Sequence, residues 1–174
     1  MRNHHDRRST RLKEYDYTQA GGYFVTICTN GWAHLFGEIS KGEMITTYLG
    51  CIVQQTWQNL PDHYDGIKLD EYVVMPNHFH GIVIIHGVVQ TKTNLIGAGL
   101  KPAPTKKFHG LPELIRVFKT FSARQINKNR GNPGLAVWQR GYYDRIIRDK
   151  KELDRIREYI LYNPMNFGDD ESLF

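Results

Sequence analysis

This chain has little cysteine, no long hydrophobic run and no internal repeat. Its two cysteines, Cys28 and Cys51, cannot build a disulfide framework or a four-thiolate zinc site. Both lie in apolar segments and read as buried thiols of a reducing compartment. No apolar stretch reaches the roughly 20 residues that a membrane-spanning helix needs. The first residues are polar and basic, unlike a signal peptide. These absences point to a cytoplasmic protein. What the chain does have is aromatic mass. Ten Tyr, eight Phe and three Trp among 174 residues argue against wholesale disorder and can fill the core of one domain. A formal net charge of +5 favours polyanionic partners such as nucleic acid.

Residues 1–16 read as a basic arm, 17–168 as the folded domain and 169–174 as a short tail. Gly22–Thr29, rich in β-branched and aromatic residues, predicts a first strand. A hairpin follows over Gly37–Thr47, turning at Lys41-Gly42. Leu49, Ile52, Val53 and Trp57 carry helical spacing, and Pro61 marks the end of that helix. Ile67–Met75 and His78–Ile85 are strands separated by Pro76-Asn77, forming either a hairpin or one kinked strand. A Gly/Pro-rich loop spans Gly87–His109 and carries Lys106 and Lys107. Leu111–Lys128 is a helix whose apolar stripe includes Phe118, Phe121 and Ile126. Arg116, Lys119, Arg124 and Lys128 lie largely outside that stripe. Val137-Trp138 and Tyr142–Arg148 read as strand. Asp149 suits the N-cap of a last helix that Pro164 terminates. Mixed elements with short connections predict an α+β sandwich, with helices on one face of a mainly antiparallel sheet.

Two places concentrate chemistry. In His78-Phe79-His80, strand alternation turns both imidazoles to one side, their Cα atoms roughly 6.6 Å apart. That spacing lets two ring nitrogens converge on one metal ion. It is equally compatible with two polar residues on the wet face of a half-buried strand. Further along, Tyr159 and Asn163 stand at i and i+4 on the last helix. A phenol can attack a phosphodiester, and an amide oxygen can join two imidazoles on a hard cation. The plainer readings are a buried aromatic and a C-terminal cap before Pro164. Tyr143 and Tyr162 are rival nucleophiles, and Asp144 and Glu158 are rival ligands.

In this order the motifs are quite specific. Met75-Pro-Asn-His-Phe-His-Gly-Ile82, Val137-Trp-Gln-Arg-Gly-Tyr-Tyr-Asp-Arg-Ile-Ile-Arg148 and Glu158-Tyr-Ile-Leu-Tyr-Asn-Pro164 resemble the REP-associated tyrosine transposases. These belong to the single-tyrosine branch of the HUH nucleases. Tyr23-Phe-Val-Thr-Ile27 resembles the first strand of that family, and the likeness runs from about Tyr17 to Phe167. The resemblance implies a ferredoxin-like core with the histidines on a central strand. It implies that Tyr159 attacks single-stranded DNA beside a palindromic hairpin and stays linked to the 5′ end. It also implies that His78, His80 and Asn163 hold Mg²⁺ or Mn²⁺. Related transposases often carry Gln at the helix position, so the Asn here is shorter by one methylene. A monomer with its helix in cis is implied, a homodimer being the alternative.

Hairpin phosphates would be met by basic side chains, with affinity falling steeply in salt. Arg116, Lys119, Arg124, Lys128, Lys106 and Lys107 form one candidate surface, and Arg7, Arg8 and Arg11 of the arm a second. Arg140, Arg145 and Arg148 are near enough in sequence to steady the phosphate. Two other readings fit the same residues. One is a phosphoesterase using metal-activated water, and the other is a non-catalytic nucleic-acid-binding domain.

Overall fold

A computed structural model describes residues 15–91 and 108–167. Arg7, Arg8, Arg11, Lys106, Lys107 and the 169–174 tail lie outside the described residues. The chain runs β1 (Gly21–Cys28), β2 (Gly37–Ser40), β3 (Glu43–Thr46), α1 (Tyr48–Gln58), α2 (Leu60–His63), β4 (Tyr64–Val74), β5 (His78–Thr91), α3 (Leu111–Arg130), β6 (Tyr143–Ile147) and α4 (Lys150–Tyr162).

Four strands form one sheet in the order β4-β5-β1-β6, every neighbouring pair antiparallel. With β1, α1, β4, β5, α3 and β6 as the frame, this is the split β-α-β order of a ferredoxin-like sandwich. The histidine strand β5 and its partner β1 take the two central places. Pro76-Asn77 makes a hairpin turn, not a kink, between β4 and β5. The β2–β3 hairpin stands apart from the sheet and turns where expected. Lys41 (φ 53°) and Gly42 (φ 79°) both lie in the left-handed region that a two-residue turn of this twist requires.

α1 and α3 cover one face of the sheet. Phe79 of β5 meets Trp57 of α1 and Phe118 of α3, with ring centroids 4.8 and 5.1 Å away. Gly81 lies on this same face. A Cβ there would come within 2.8 Å of both the Phe79 ring and the Trp57 ring, so only glycine fits without displacing the core. Trp138 closes the end of the layer, its indole N–H donating to Ser122 Oγ at 3.0 Å.

The opposite face is covered as well, and here the expectation of helices on one face is corrected. α4 lays Ile156 and Ile160 on Ile82, flanked by Phe24, Val73, Ile84 and Ile147. The sequence Phe79-His-Gly-Ile-Val-Ile-Ile85 is nearly continuous in apolar residues, the pattern of a strand buried on both sides. Two smaller expectations also change. Cys28 is buried, but Cys51 is exposed on the outer side of α1. Phe121 stands 45% exposed at the margin of α3 and stacks over His63. Among the described residues, no helix is long and apolar enough to cross a membrane.

Gly81→Ala should cost about 1–3 kcal/mol, since neither packed ring can retreat cheaply. A urea melt should show a lowered midpoint with an unchanged slope. An unaltered midpoint would mean that the Trp57–Phe79 layer is looser than its geometry indicates.

Candidate active site

The site is assembled by the way α4 is fastened. Asp149 caps it, its carboxylate accepting from the Glu152 amide at 2.7 Å. Glu152 in turn accepts from the Arg148 amide (2.9 Å) and from Arg145 Nε of β6 (2.7 Å). The Arg148 amide, and then Arg145, hold this carboxyl below the usual carboxylate range. At the other edge of the sheet, Arg157 grips Asp70 of β4 with two bonds of 2.7 Å, Nε to Oδ1 and Nη2 to Oδ2. Asp70 lies in a bulge, where β4 slips register between Leu69 and Tyr72. The extra residue re-aims a side chain without moving the rest of the strand. Forked pairs of this kind fix orientation as well as contact. With the apolar ridge of Ile156 and Ile160 between these two anchors, the helix cannot roll.

On the sheet face beneath, His80 pairs in register with Thr26, and His78 with Cys28. Both imidazoles are buried, His80 completely. Their ring centroids are 4.6 Å apart, so strand alternation brings them together as expected. Each ring is held at Nδ1. His78 Nδ1–H donates to Asn77 Oδ1 at 2.8 Å, because a carbonyl oxygen only accepts. Thr26 Oγ1 lies 2.8 Å from His80 Nδ1. With Nδ1–H donating to that hydroxyl, the Nε2 lone pair of His80 turns toward α4. Phe24 stacks on the His80 ring at 5.4 Å and 21°. Burial, and then the neighbouring His78, hold the His80 imidazole well below its ordinary pKa. It is therefore neutral at pH 7, the form that can bind a cation or accept a proton.

Tyr159 comes down onto this pair. Its hydroxyl lies 3.4 Å from His80 Nε2, although the two residues are 79 apart in sequence. One turn on, Asn163 is 1% exposed and caps the helix, its amide N–H reaching back to Ile160 O. Strand and helix thus meet within one chain. Imidazole nitrogens and an amide oxygen are donor types that suit a divalent ion, and here the two imidazoles lie together while the Asn163 amide is buried one turn beyond Tyr159.

The rival residues are placed elsewhere. Asp144 pairs with Val25 on the opposite sheet face and accepts from Tyr17 at 2.6 Å. Tyr143 shares the histidine face but sits one strand farther out, opposite Thr26. Tyr162 and Glu158 are exposed. Of the basic candidates, Arg116, Arg140 and Arg148 are exposed. Arg124 and Lys128 line a groove of about 680 Å³ with Thr120, Asn127 and Leu135. Lys119 has a different setting. Its ammonium donates to Gln139 O and Gly141 O at 2.6 and 2.8 Å, and burial lowers its pKa to about 8. It fastens the segment leading into β6. Thr26, Asn77, Phe24, Asp70 and Arg157 went unmarked in the sequence. Asn77 adjoins His78 and was within reach of a local reading, but the others meet the site only through strand pairing and helix docking.

Arg157 holds the Asp70 carboxyl below its usual range. A carboxylate lowered on folding contributes stability at pH values above its unfolded pKa, and that contribution is lost as pH falls through the folded pKa. Asp70→Asn should therefore cost about 1–2 kcal/mol at pH 7, discounted for the partly exposed Arg157. The wild-type and variant urea midpoints should converge once the pH falls below the ordinary Asp range. A gap that persists at low pH would show that the charge of Asp70 is not what matters.

No family model matches the chain. An uncharacterized Haemophilus influenzae protein is 40% identical over 169 residues, covering 96% of this chain and 93% of the relative. A second Haemophilus influenzae protein, provisionally named a REP-associated tyrosine transposase, is 27% identical over 88% of this chain and 75% of its own length. A solved structure of a REP-associated tyrosine transposase bound to a REP hairpin has the same fold. It covers 91% of this chain and 74% of that one, with a TM-score of 0.58 and 19% identity. The chain belongs to one family with the first of these Haemophilus proteins, and it is similar in sequence to the second and in fold to the REP-associated tyrosine transposase of the solved structure.

Proposed function

We propose that the chain is a metal-dependent endonuclease and strand transferase for single-stranded DNA flanking a hairpin or palindrome, with Tyr159 as its nucleophile. The observation that carries this reading is the meeting of Tyr159 with His80, 3.4 Å apart, over a buried pair of imidazoles. Hairpin DNA as the substrate is supported by the relative of the same fold that binds a REP hairpin.

The chemistry follows from the residues. The phenol oxygen of Tyr159 forms a bond to phosphorus as the P–O3′ bond breaks. The phenol gives up its proton and the departing 3′ oxygen takes one up. The 5′ end remains on the tyrosine as a phosphodiester, so the energy of the broken bond is retained. Attack by another 3′ hydroxyl reverses the same step, which makes joining possible where a water nucleophile would only hydrolyse. His78, His80 and Asn163 would hold Mg²⁺ or Mn²⁺, which when bound would offset the charge that builds on the phosphate oxygens. Asn77 and Thr26 act behind the histidines by holding each Nδ1, which orients the rings and sets their tautomers.

Residues 17–168 make up the proposed nuclease domain. A working monomer is supported by α4 reaching the histidines of its own chain. Arg116, Arg124 and Lys128 are the proposed contacts to hairpin phosphates. Arg140 and Arg148 are proposed nearer the cut.

Tyr159→Phe should abolish the covalent protein–DNA adduct while leaving hairpin binding intact, as read by denaturing gels and by filter binding. EDTA should stop cleavage and Mn²⁺ should restore it. An adduct of normal yield in the Tyr159 variant would assign the nucleophile elsewhere, and cleavage through activated water would appear as product without adduct. Separately, Thr26→Val should lower the cleavage rate about 10- to 100-fold with little change in hairpin affinity. If Thr26→Val cuts at the wild-type rate, His80 does not need its Nδ1 partner.

A further inference from the structure

Next to Tyr159, on the side toward the start of α4, the surface opens into a cavity of about 300 Å³. Phe24 and Ile156 supply apolar walls, Tyr159 closes one end, and Arg145, Arg155 and Glu152 complete the lining. Its volume lies at the low end of the roughly 300–1,000 Å³ typical of small-molecule sites, enough for one nucleoside. Nothing in the scheme above uses it.

The charges around it are unequal. Glu152 and Arg145 are paired at 2.7 Å, and the same carboxylate also accepts from the Arg148 amide, so Arg145 is largely neutralised. Arg155 is exposed and directs Nε at the backbone carbonyl of Lys151, 3.4 Å away. Among the described residues no carboxylate forms an ion pair with it. Arg155 and Tyr159 are i and i+4 on α4, so the guanidinium and the phenol lie on one side of the helix, one turn apart. The cavity therefore offers an aromatic and aliphatic wall for a base and a cation for a phosphate, with the nucleophile at its boundary.

In-line displacement decides which nucleotide belongs there. The departing 3′ oxygen leaves from the side of phosphorus opposite the attacking phenol. The nucleotide 5′ of the cut therefore moves away from Tyr159. The nucleotide 3′ of the cut keeps its 5′ phosphate and becomes bonded to the phenol. We infer that the Phe24–Arg155 cavity is the subsite for the nucleotide 3′ of the cut, with its base against Phe24 and Ile156 and its next phosphate on Arg155. This inference rests on Tyr159 being the nucleophile. It assigns the cavity a function in the covalent state, retaining the attached strand until a 3′ hydroxyl arrives.

The test starts from a DNA hairpin library whose single-stranded flanks are randomised, incubated with the full chain and Mn²⁺. Sequencing of the DNA in trapped adducts maps the junction. Abasic residues are then placed singly on the 3′ and the 5′ side of that junction. An abasic residue on the 3′ side should lower adduct yield about tenfold, the order expected for loss of one stacked base. On the 5′ side the loss should be under about twofold. Phe24→Ala should react alike with the intact and the 3′-abasic strand. Should that half-buried site not tolerate alanine, the exposed Arg155→Gln should speed release of the attached strand by excess competing 3′-hydroxyl DNA. Adducts indifferent to the 3′ base, or sensitive only to the 5′ base, would overturn the subsite and leave Tyr159 as nucleophile. No adduct from any library member would overturn the nucleophile and the subsite together.

Discussion

Every part of the candidate site depends on β5 being buried on both faces. Alternate residues of one strand serve two cores: Phe79, Gly81 and Val83 pack under α1 and α3, while His78, His80 and Ile82 face α4. A slip of one residue would exchange the two sets and place imidazoles among Trp57 and Phe118. Three features resist that slip. Gly81 fits only where the Phe79 and Trp57 rings close over it. The central position of β5 gives it ladder bonds to β4 and to β1. The tight turn at Pro76-Asn77 sets where the strand begins. Packing on the far side of the sheet thus holds the histidines in place, although no residue of that core touches the chemistry.

Burial has an electrostatic consequence on the other side. An imidazole with no water around it resists protonation, and a second imidazole beside it resists it further. His80 is therefore kept neutral by its own environment. The charged residues near α4 lie at its flanks: Arg145 with Glu152 at one sheet edge, Arg157 with Asp70 at the other. Both pairs keep some exposure to solvent, so their desolvation cost is modest, while their geometry still fixes the helix. Charge fixes the helix at the rim, and neutral polar groups occupy the middle.

How much of this was legible in the sequence follows from where each piece of information resides. The bounds of α4 were readable because Asp149 and Pro164 bracket it locally, and the spacing of Ile156 and Ile160 showed which side is apolar. His78 and His80 were readable as a pair because strand alternation is a local rule. The face to which α4 docks was not readable. An apolar run such as Phe79 to Ile85 signals burial on both sides without saying which helix covers which side. Thr26 and Phe24 were hidden for a similar reason. Their importance comes from the antiparallel register of β1 with β5, which no pattern within β1 encodes. Asp70 was hidden by its bulge, since strict alternation from Leu69 to Tyr72 misassigns the faces. Lys119 looked like part of a basic helix surface because helical periodicity cannot foresee the 139–141 segment folding over it.

Asn163 combines the end of a helix with a buried side chain. As a C-cap it ends α4, its backbone amide bonded to Ile160 O and its conformation still helical. Its short side chain is buried one turn beyond Tyr159. The loss of a methylene relative to glutamine shortens reach, but it also removes a rotatable bond. A side chain that leaves a fixed backbone with fewer rotamers loses less entropy when it is held in one position. The direction of that side chain is then set by the helix, which must not roll. The Arg157–Asp70 fork and the Ile156–Ile160 ridge supply that constraint. The short amide and the firm fastening of α4 thus act in the same sense, each restricting where the Asn163 side chain can point.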